Sequence, residues 1–411
     1  MKEIRFIHTA DLHLDSPFRG LGHLPKSLFQ RLRESTFAAF QKVIDAAIEK
    51  KVDFLLISGD LFDGEDRSIK AQARLRKQLQ RLEENGIAVF MIHGNHDHLG
   101  GDWTALDMPG NVRIFSEKVE PFRWTGKNGV SAHVYGFSYP ERHVYSRKIS
   151  EYKRVDGADF HIAMLHGSEE GQGGAHQPYA PFSVKELLKK EMDYWALGHI
   201  HHKQILHANP YIVYPGNIQG RHRKESGTKG CYFVVLNDGG EAKMEFVETA
   251  DIRWESVGIQ VREGMDLTQL FTECMKEMES IRSNKTEGIL CSLTLHRADL
   301  LLDHVLRTIE NGEFLEMLQD SSESEGAFVW PYRIHIAAPH FSSADVIDEQ
   351  LAGTIENILL ELRENGLDEV ISELYSHIYG SRYLDALTEQ EIGDILHSAK
   401  KLVIHSISKM K

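Results

Sequence analysis

The chain has 411 residues, enough for two to three domains. Hydrophobic residues make up 41% and charged residues 26%, the proportions of a globular protein. A formal net charge of −14 argues against a protein that simply coats nucleic acid. No apolar run reaches the ~18 residues of a membrane span. The three cysteines (Cys231, Cys274, Cys291) are too scattered for a disulfide framework or a zinc ribbon. Lys2, Glu3, Arg5, His8 and Asp11 break any signal-peptide core, so the expected compartment is the cytoplasm. The charge is uneven: residues 1–250 carry 33 basic and 32 acidic side chains, residues 251–411 carry 14 and 29. Of the 23 histidines, 16 fall at or before His222. The pattern is a neutral, histidine-rich body followed by an acidic appendage.

Residues 4–10 read as a strand. Residues 34–51 bring Phe37, Phe40, Val43, Ile44, Ala47 and Ile48 to one helical face. Strand 52–58, helix 67–84 (ended by Asn85-Gly86) and strand 87–92 follow. Strands separated by single helices predict an α/β fold with a parallel sheet. Further strands are expected near 132–138, 159–165, 193–198 and 211–214, then a hairpin of 230–236 and 243–248 about Asn237-Asp238-Gly239-Gly240. These later strands lack long helices between them, which calls for a mixed sheet or two packed sheets. Strand 254–261, helix 266–282, strand 288–295, helices 299–320 and strand 328–336 predict a small α/β domain. From 343 the pattern is helical. There is no internal repeat.

Five short clusters sit at expected strand ends. They are Asp11-Leu12-His13, Gly59-Asp60-Leu61-Phe62-Asp63, Gly94-Asn95-His96-Asp97, His166-Gly167 and Gly198-His199-Ile200-His201. Ligands of open α/β sheets bind at that edge. Asp-x-His and His-x-His place both side chains on one face if the segment is extended. Each cluster alone reads as an ordinary turn or a half-buried histidine. Together, Asp11, His13, Asp60, Asn95, His166, His199 and His201 make seven potential ligands. Mixed imidazole and carboxylate donors suit manganese, iron or zinc. Seven are too many for one tetrahedral ion and fit two, with one carboxylate shared. Two metals suit displacement at an anionic phosphodiester.

This ordered set, D-x-H, G-D-x-x-D, G-N-H-D, H and G-H-x-H, resembles the calcineurin-like metallophosphoesterase superfamily. Within it, HTADLHL at 8–14, GDLFD at 59–63, GNHD at 94–97 and GHIHH at 198–202 resemble the SbcD-type DNA-repair exonucleases. SPFRGL at 16–21 and the overall length resemble that family's YhaO branch. The resemblance implies a four-layer αββα core over 1–250. It adds a small α/β capping domain at 251–340 and a helical, partner-binding C-terminal segment at 341–411. It implies that Asp11, His13, Asp60 and His201 hold one metal and that Asp60, Asn95, His166 and His199 hold the other. His96 would be the catalytic histidine at the scissile phosphate, with Asp63 orienting it. The family usually has Trp-His-Leu-Gly after the first aspartate. Leu12 and Asp15 depart from that, so contacts along the groove are expected to differ.

The resemblance further implies two divalent ions, manganese first, with iron or zinc as alternatives. It also implies DNA as substrate, an SbcC-like coiled-coil ATPase as partner and a homodimer, with no membrane. No G-x-x-x-x-G-K-[ST] motif is present, so ATP-driven work would need that partner. Three basic clusters favour nucleic acid. The first (Arg67, Lys70, Arg74, Arg76, Lys77, Arg81) lies on one helix and reads first as its solvated face. The second (Arg142, Arg147, Lys148, Lys153, Arg154) lies in a loop between metal motifs, and the third (Lys203, Arg221, Arg223, Lys224) follows the last of them. The apolar stripe Ile347, Leu351, Ile355, Ile358, Leu359 and Leu362 suits core packing or a docking face. The leading expectation is a manganese-dependent DNA exo/endonuclease subunit. A small-molecule phosphodiesterase or nucleotidase, or a metal-containing scaffold without catalysis, are the alternatives.

Overall fold

The structure is a computed structural model. It describes residues 2–18, 20–22, 24–64, 68–100, 104–171, 179–240, 242–282, 287–323, 326–337 and 349–363, with scattered positions from 367 to 403. Arg67 and Ile347 lie outside the described residues.

The elements run β1 (Glu3–Thr9), α1 (Lys26–Glu49), β2 (Phe54–Ser58), α2 (Ile69–Glu84), β3 (Ala88–Ile92), β4 (Val112–Ile114), β5 (Glu120–Thr125), β6 (Ser131–Gly136), β7 (Phe160–His166), α3 (Val184–Leu188), β8 (Tyr194–Gly198), β9 (Gln204–Ala208), β10 (Tyr211–Tyr214), β11 (Gly230–Asn237) and β12 (Ala242–Glu248). Beyond them come β13 (Ile252–Gln260), α4 (Leu267–Ser280), β14 (Gly288–His296), α5 (Asp303–Glu310), α6 (Glu313–Asp320), β15 (Val329–Ile336) and α7 (Glu349–Glu361).

Two six-stranded sheets form the core, in the orders β12-β11-β1-β2-β3-β4 and β5-β6-β7-β8-β10-β9. In the first, β1 to β4 run parallel, and β11 joins β1 antiparallel. In the second, β6, β7, β8 and β10 run parallel between antiparallel edge strands β5 and β9. Alternation sorts each strand between layers. Phe54 and Leu56 of β2 pack with Ile162, Met164, Tyr194 and Ala196 of β7 and β8. Leu55 and Ile57 turn the other way, against Phe40, Val43 and Leu75 of α1 and α2. Leu165, Trp195 and Leu197 turn outward against Phe182 and Leu187. Strands buried on both faces explain the unbroken apolar runs of β2, β7 and β8. This is the four-layer α/β arrangement expected.

The hairpin β11–β12 forms as expected, with Gly240 at φ 77° and its amide on Asn237 O at 3.1 Å. Helix α1 begins eight residues earlier than its pattern suggested. Its first turns bury Leu28 and Leu32 in a different cluster, with Ile252, Trp254 and Phe328. Strands β4, β5 and β9 were not expected. They are short or lie at sheet edges, where half-exposed polar residues leave no apolar run.

By compactness the chain divides into two units. One comprises 1–257, 275–292 and 315–333; the other comprises 258–274, 293–314 and 334–411. In the second unit α5 turns Val305 and Ile309 inward. Along α7 the stripe splits: Ile355 is buried, Leu351 and Leu359 are half-buried and Ile358 is exposed, with Leu362 half-buried just past the helix end. No helix of the described residues is long and apolar enough to cross a membrane.

Candidate metal centre

The carboxyl ends of β1, β2, β3, β7 and β8 bring the five clusters to one place. After β1 and β2 end, their loops stay paired. Asp11 N donates to Gly59 O (3.1 Å), His13 N to Asp60 O (3.0 Å) and Leu14 N to Leu61 O (2.8 Å). Across the two sheets, a ring nitrogen of His166 lies 3.0 Å from Ser58 O. Asp11 carries the β8 loop, accepting from His199 N at 3.0 Å.

One ligand atom each from Asp11, His13, Asp60 and His201 lie within 4.8 Å of one another. On the other side of Asp60, Asn95 Oδ1 is 3.0 Å from His166 Nε2 and 3.2 Å from His199 Nδ1. Asp60 Oδ2 stands between the groups, 3.7 Å from His13 Nε2 and 3.5 Å from His166 Nε2. All seven candidate ligands therefore converge, with Asp60 between two sets. His96 is half-buried beside them. Its backbone N–H donates to Asp60 Oδ1 (3.0 Å), and its ring meets that of His13 edge-on at 5.1 Å. Asp63 lies 3.1 Å from His13 Nδ1, accepts from Ser16 and Arg221, and comes within 4.8 Å of a ring nitrogen of His96.

Alternation in an extended segment does not bring the ligand pairs together. Asp11 (φ 51°), His13 (φ 42°), Asp60 (φ 52°) and His199 (φ 98°) all have left-handed backbone. Such residues cost of order 1–3 kcal/mol each, and they concentrate at functional sites. Space is equally tight. A Cβ on Gly94 would overlap Asp60 Oδ1 and sit 2.7 Å from His166 Nε2, so glycine is needed there for close approach.

The electrostatics fit divalent cations. Burial pushes the Asp11 carboxyl well up, and the charge of Asp60 adds to it. Burial also raises Asp60, with His96 opposing. Burial lowers all four imidazoles: His166 to about 4, His199 to about 3, and His13 and His201 downward. Neutral ring nitrogens beside two buried carboxylates are the donor types that divalent cations take.

Three residues outside the expected ligand set complete the centre. Glu225 Oε1 lies 2.6 Å from His201 Nδ1, and Glu225 Oε2 accepts from Arg221 N and Asn217 Nδ2. Burial alone would raise this carboxyl, but its bonds to His201 and Arg221 hold it well below the usual range. Arg221 joins Asp63 to Glu225. Asp97 accepts from Gly94 N (2.7 Å) and Leu61 N (2.9 Å), which ties two ligand loops together. No strand-end motif contains Glu225, and its spacing from His201 carries no local signal. Leu12 and Asp15 do not face the groove. Leu12 is in the core, and Asp15 accepts from Ser68, the N-cap of α2.

A cleft of about 790 Å³ opens over the centre, lined by Phe18, Asp63, Asn95, His96, Arg142 and Arg221. Two residues of the first basic cluster tie α2 to α1: Arg74 bridges to Glu34 and Arg81 to Asp45. In the second, Arg147, Lys148 and Arg154 are ion-paired, while Arg142 faces the cleft.

The model of the calcineurin-like phosphoesterase domain matches residues 4–203. The uncharacterized metallophosphoesterase YhaO of Bacillus subtilis is 41% identical over 97% of both chains. The chain belongs to the calcineurin-like metallophosphoesterase family. The DNA double-strand break repair protein Mre11 of Thermoplasma acidophilum is 25% identical, over 92% of this chain and 100% of its own length. Mre11 of Aeropyrum pernix is 32% identical over 59% of this chain and 60% of its own. The family expected from the motifs is the family these matches give.

Proposed function

We propose that this metallophosphoesterase is a two-metal, manganese-dependent DNA nuclease subunit that works with a coiled-coil ATPase. The observation that carries the DNA reading is the extent of its likeness to Mre11 of Thermoplasma acidophilum. That likeness spans 92% of this chain, well past the phosphoesterase domain that ends at 203. A small-molecule phosphodiesterase would need to share only that domain. Arg142 on the cleft wall, which makes no ion pair with the described residues, supports the same reading.

Asp11, His13, Asp60 and His201 would hold one divalent cation, and Asp60, Asn95, His166 and His199 the other, which would supply the positive charge that an anionic phosphodiester needs before attack. The chain does the rest. Asp60, fixed by the His96 amide, holds the two donor groups together. Glu225 orients the His201 ring. His96, half-exposed at the cleft, holds a proton on a ring nitrogen for the departing oxygen. Arg142 on the cleft wall orients the phosphate backbone, and Arg221 holds Asp63 and Glu225 in place. With no nucleotide-binding loop of its own, the chain would take ATP-driven motion from its partner. The stripe on α7 is the proposed docking face, and a homodimer is part of the same reading.

The test is manganese-dependent hydrolysis of end-labelled single- and double-stranded DNA, wild type against His96→Ala, with metal content measured in both. The reading expects the variant to keep its metal and lose DNA hydrolysis. Wild-type protein that clears a small phosphodiester and leaves DNA intact would sink it.

A further inference from the structure

Beside the catalytic cleft lies a second pocket of about 370 Å³. It shares Arg221 and His222 with the cleft, so the two are continuous. Its own walls are Arg223, Trp254, Tyr332 and Arg333. All of these belong to the first compact unit. No Asp or Glu is among its described lining residues. Arg221 is committed to Asp63 and Glu225. Arg223 and Arg333 are exposed and bridge to no carboxylate among the described residues, so two guanidinium groups are free for a ligand.

The aromatic wall is held in place. The Trp254 indole N–H donates to Gly220 O at 3.1 Å. The Tyr332 ring meets Trp254 edge-on at 5.1 Å, and Tyr332 is half-buried. Free guanidinium groups favour phosphate, because their planar donors match its oxygens. A fixed aromatic ring accepts any base, because every base has a π-face. The volume is that of a small-ligand site.

We infer that this pocket seats the nucleotide next to the scissile phosphodiester on the substrate strand, with its phosphate against Arg223 and Arg333 and its base against Tyr332. The inference rests on the nuclease reading above and adds where the strand goes once it leaves the metal centre. It assigns the pocket a share of DNA affinity and none of the chemistry.

The experiment uses the full chain with manganese and two substrates. Bis(p-nitrophenyl) phosphate is too small to fill both pockets, and a single-stranded oligonucleotide can fill both. The double variant Arg223→Ala/Arg333→Ala changes two exposed side chains, and its rate on the small ester serves as the folding control. The expected result is a KM for the oligonucleotide raised about tenfold, with the small ester hydrolysed as by wild type. The slope of log affinity against log salt should fall by about 0.7, the value for one lost single-strand phosphate contact. Arg223→Lys/Arg333→Lys should restore most of that slope, and Tyr332→Ala should raise KM with no change in slope. Arginine variants with wild-type KM and slope overturn the pocket and leave the nuclease reading standing. An equal loss on both substrates also overturns it. Wild-type protein that cleaves only the small ester overturns the nuclease reading, and the pocket inference falls with it.

Discussion

Glu225 Oε1 and His201 Nδ1 lie 2.6 Å apart, in a bond that spans 24 residues of sequence. It fixes the ring so that His201 Nε2 faces His13 Nε2 at 3.1 Å, toward Asp11 and Asp60. A carboxylate behind a ligating imidazole sets its tautomer and basicity, and losing one typically weakens metal binding 10–100-fold. Glu225→Gln should therefore bind manganese ~10–100-fold more weakly by calorimetry, with its secondary structure intact. Wild-type affinity in that variant would remove Glu225 from the centre.

Two glycines should fail in different ways. In Gly94→Ala the new methyl overlaps Asp60 Oδ1, a side-chain atom of the centre. In Gly198→Ala it overlaps the Ser58 carbonyl oxygen, part of the backbone of β2. The first should lose metal while unfolding near the wild-type midpoint. The second should be destabilised by ~1–3 kcal/mol or more, since the sheets must part to admit the methyl. Metal content by mass spectrometry and urea midpoints separate the two. Equal midpoints for both variants would contradict the distinction.

Asp97 is expected to matter for stability rather than chemistry. Its carboxylate takes the buried amides of Gly94 and Leu61 and lies 3.0 Å from His93 Nδ1. Asp97→Ala leaves both amides without that acceptor, at ~1–3 kcal/mol each. Urea denaturation should register a loss of at least ~2 kcal/mol. A change under ~0.5 kcal/mol would show that the loops hold without it.

His8 should make the fold acid-sensitive. It is fully buried between the sheets, with Nδ1 3.0 Å from the Tyr194 hydroxyl and Nε2 3.0 Å from Leu197 O. Burial lowers its pKa to about 3, with the Leu197 carbonyl opposing. The unfolded chain takes up this proton below pH ~6.5, while the native state refuses it until about 3. Stability present above pH ~6.5 is therefore lost as pH falls toward 3, at ~1.4 kcal/mol per pH unit from this group. Between pH 6 and 4, His8→Gln should give a stability-against-pH slope shallower than wild type by about that amount. Parallel slopes would mean that His8 does not titrate differently on folding.

The sequence alone determined the strands that carry the centre and the residues that meet there. Both are local signals. Buried strands such as β2 and β7 are unbroken apolar runs, and Asp11, Asp60, Asn95, His166 and His199 stand where those runs stop. Which groups hold those residues was decided by tertiary structure. Asp63 and Arg221 are 158 positions apart, and no periodicity links them. The left-handed backbone of Asp11, His13, Asp60 and His199 was equally hidden, because these residue types ordinarily adopt other conformations. Only the packing of two sheets overrides that preference. It does so by forcing five strand ends, each unremarkable in the chain, into one volume too small for relaxed loops.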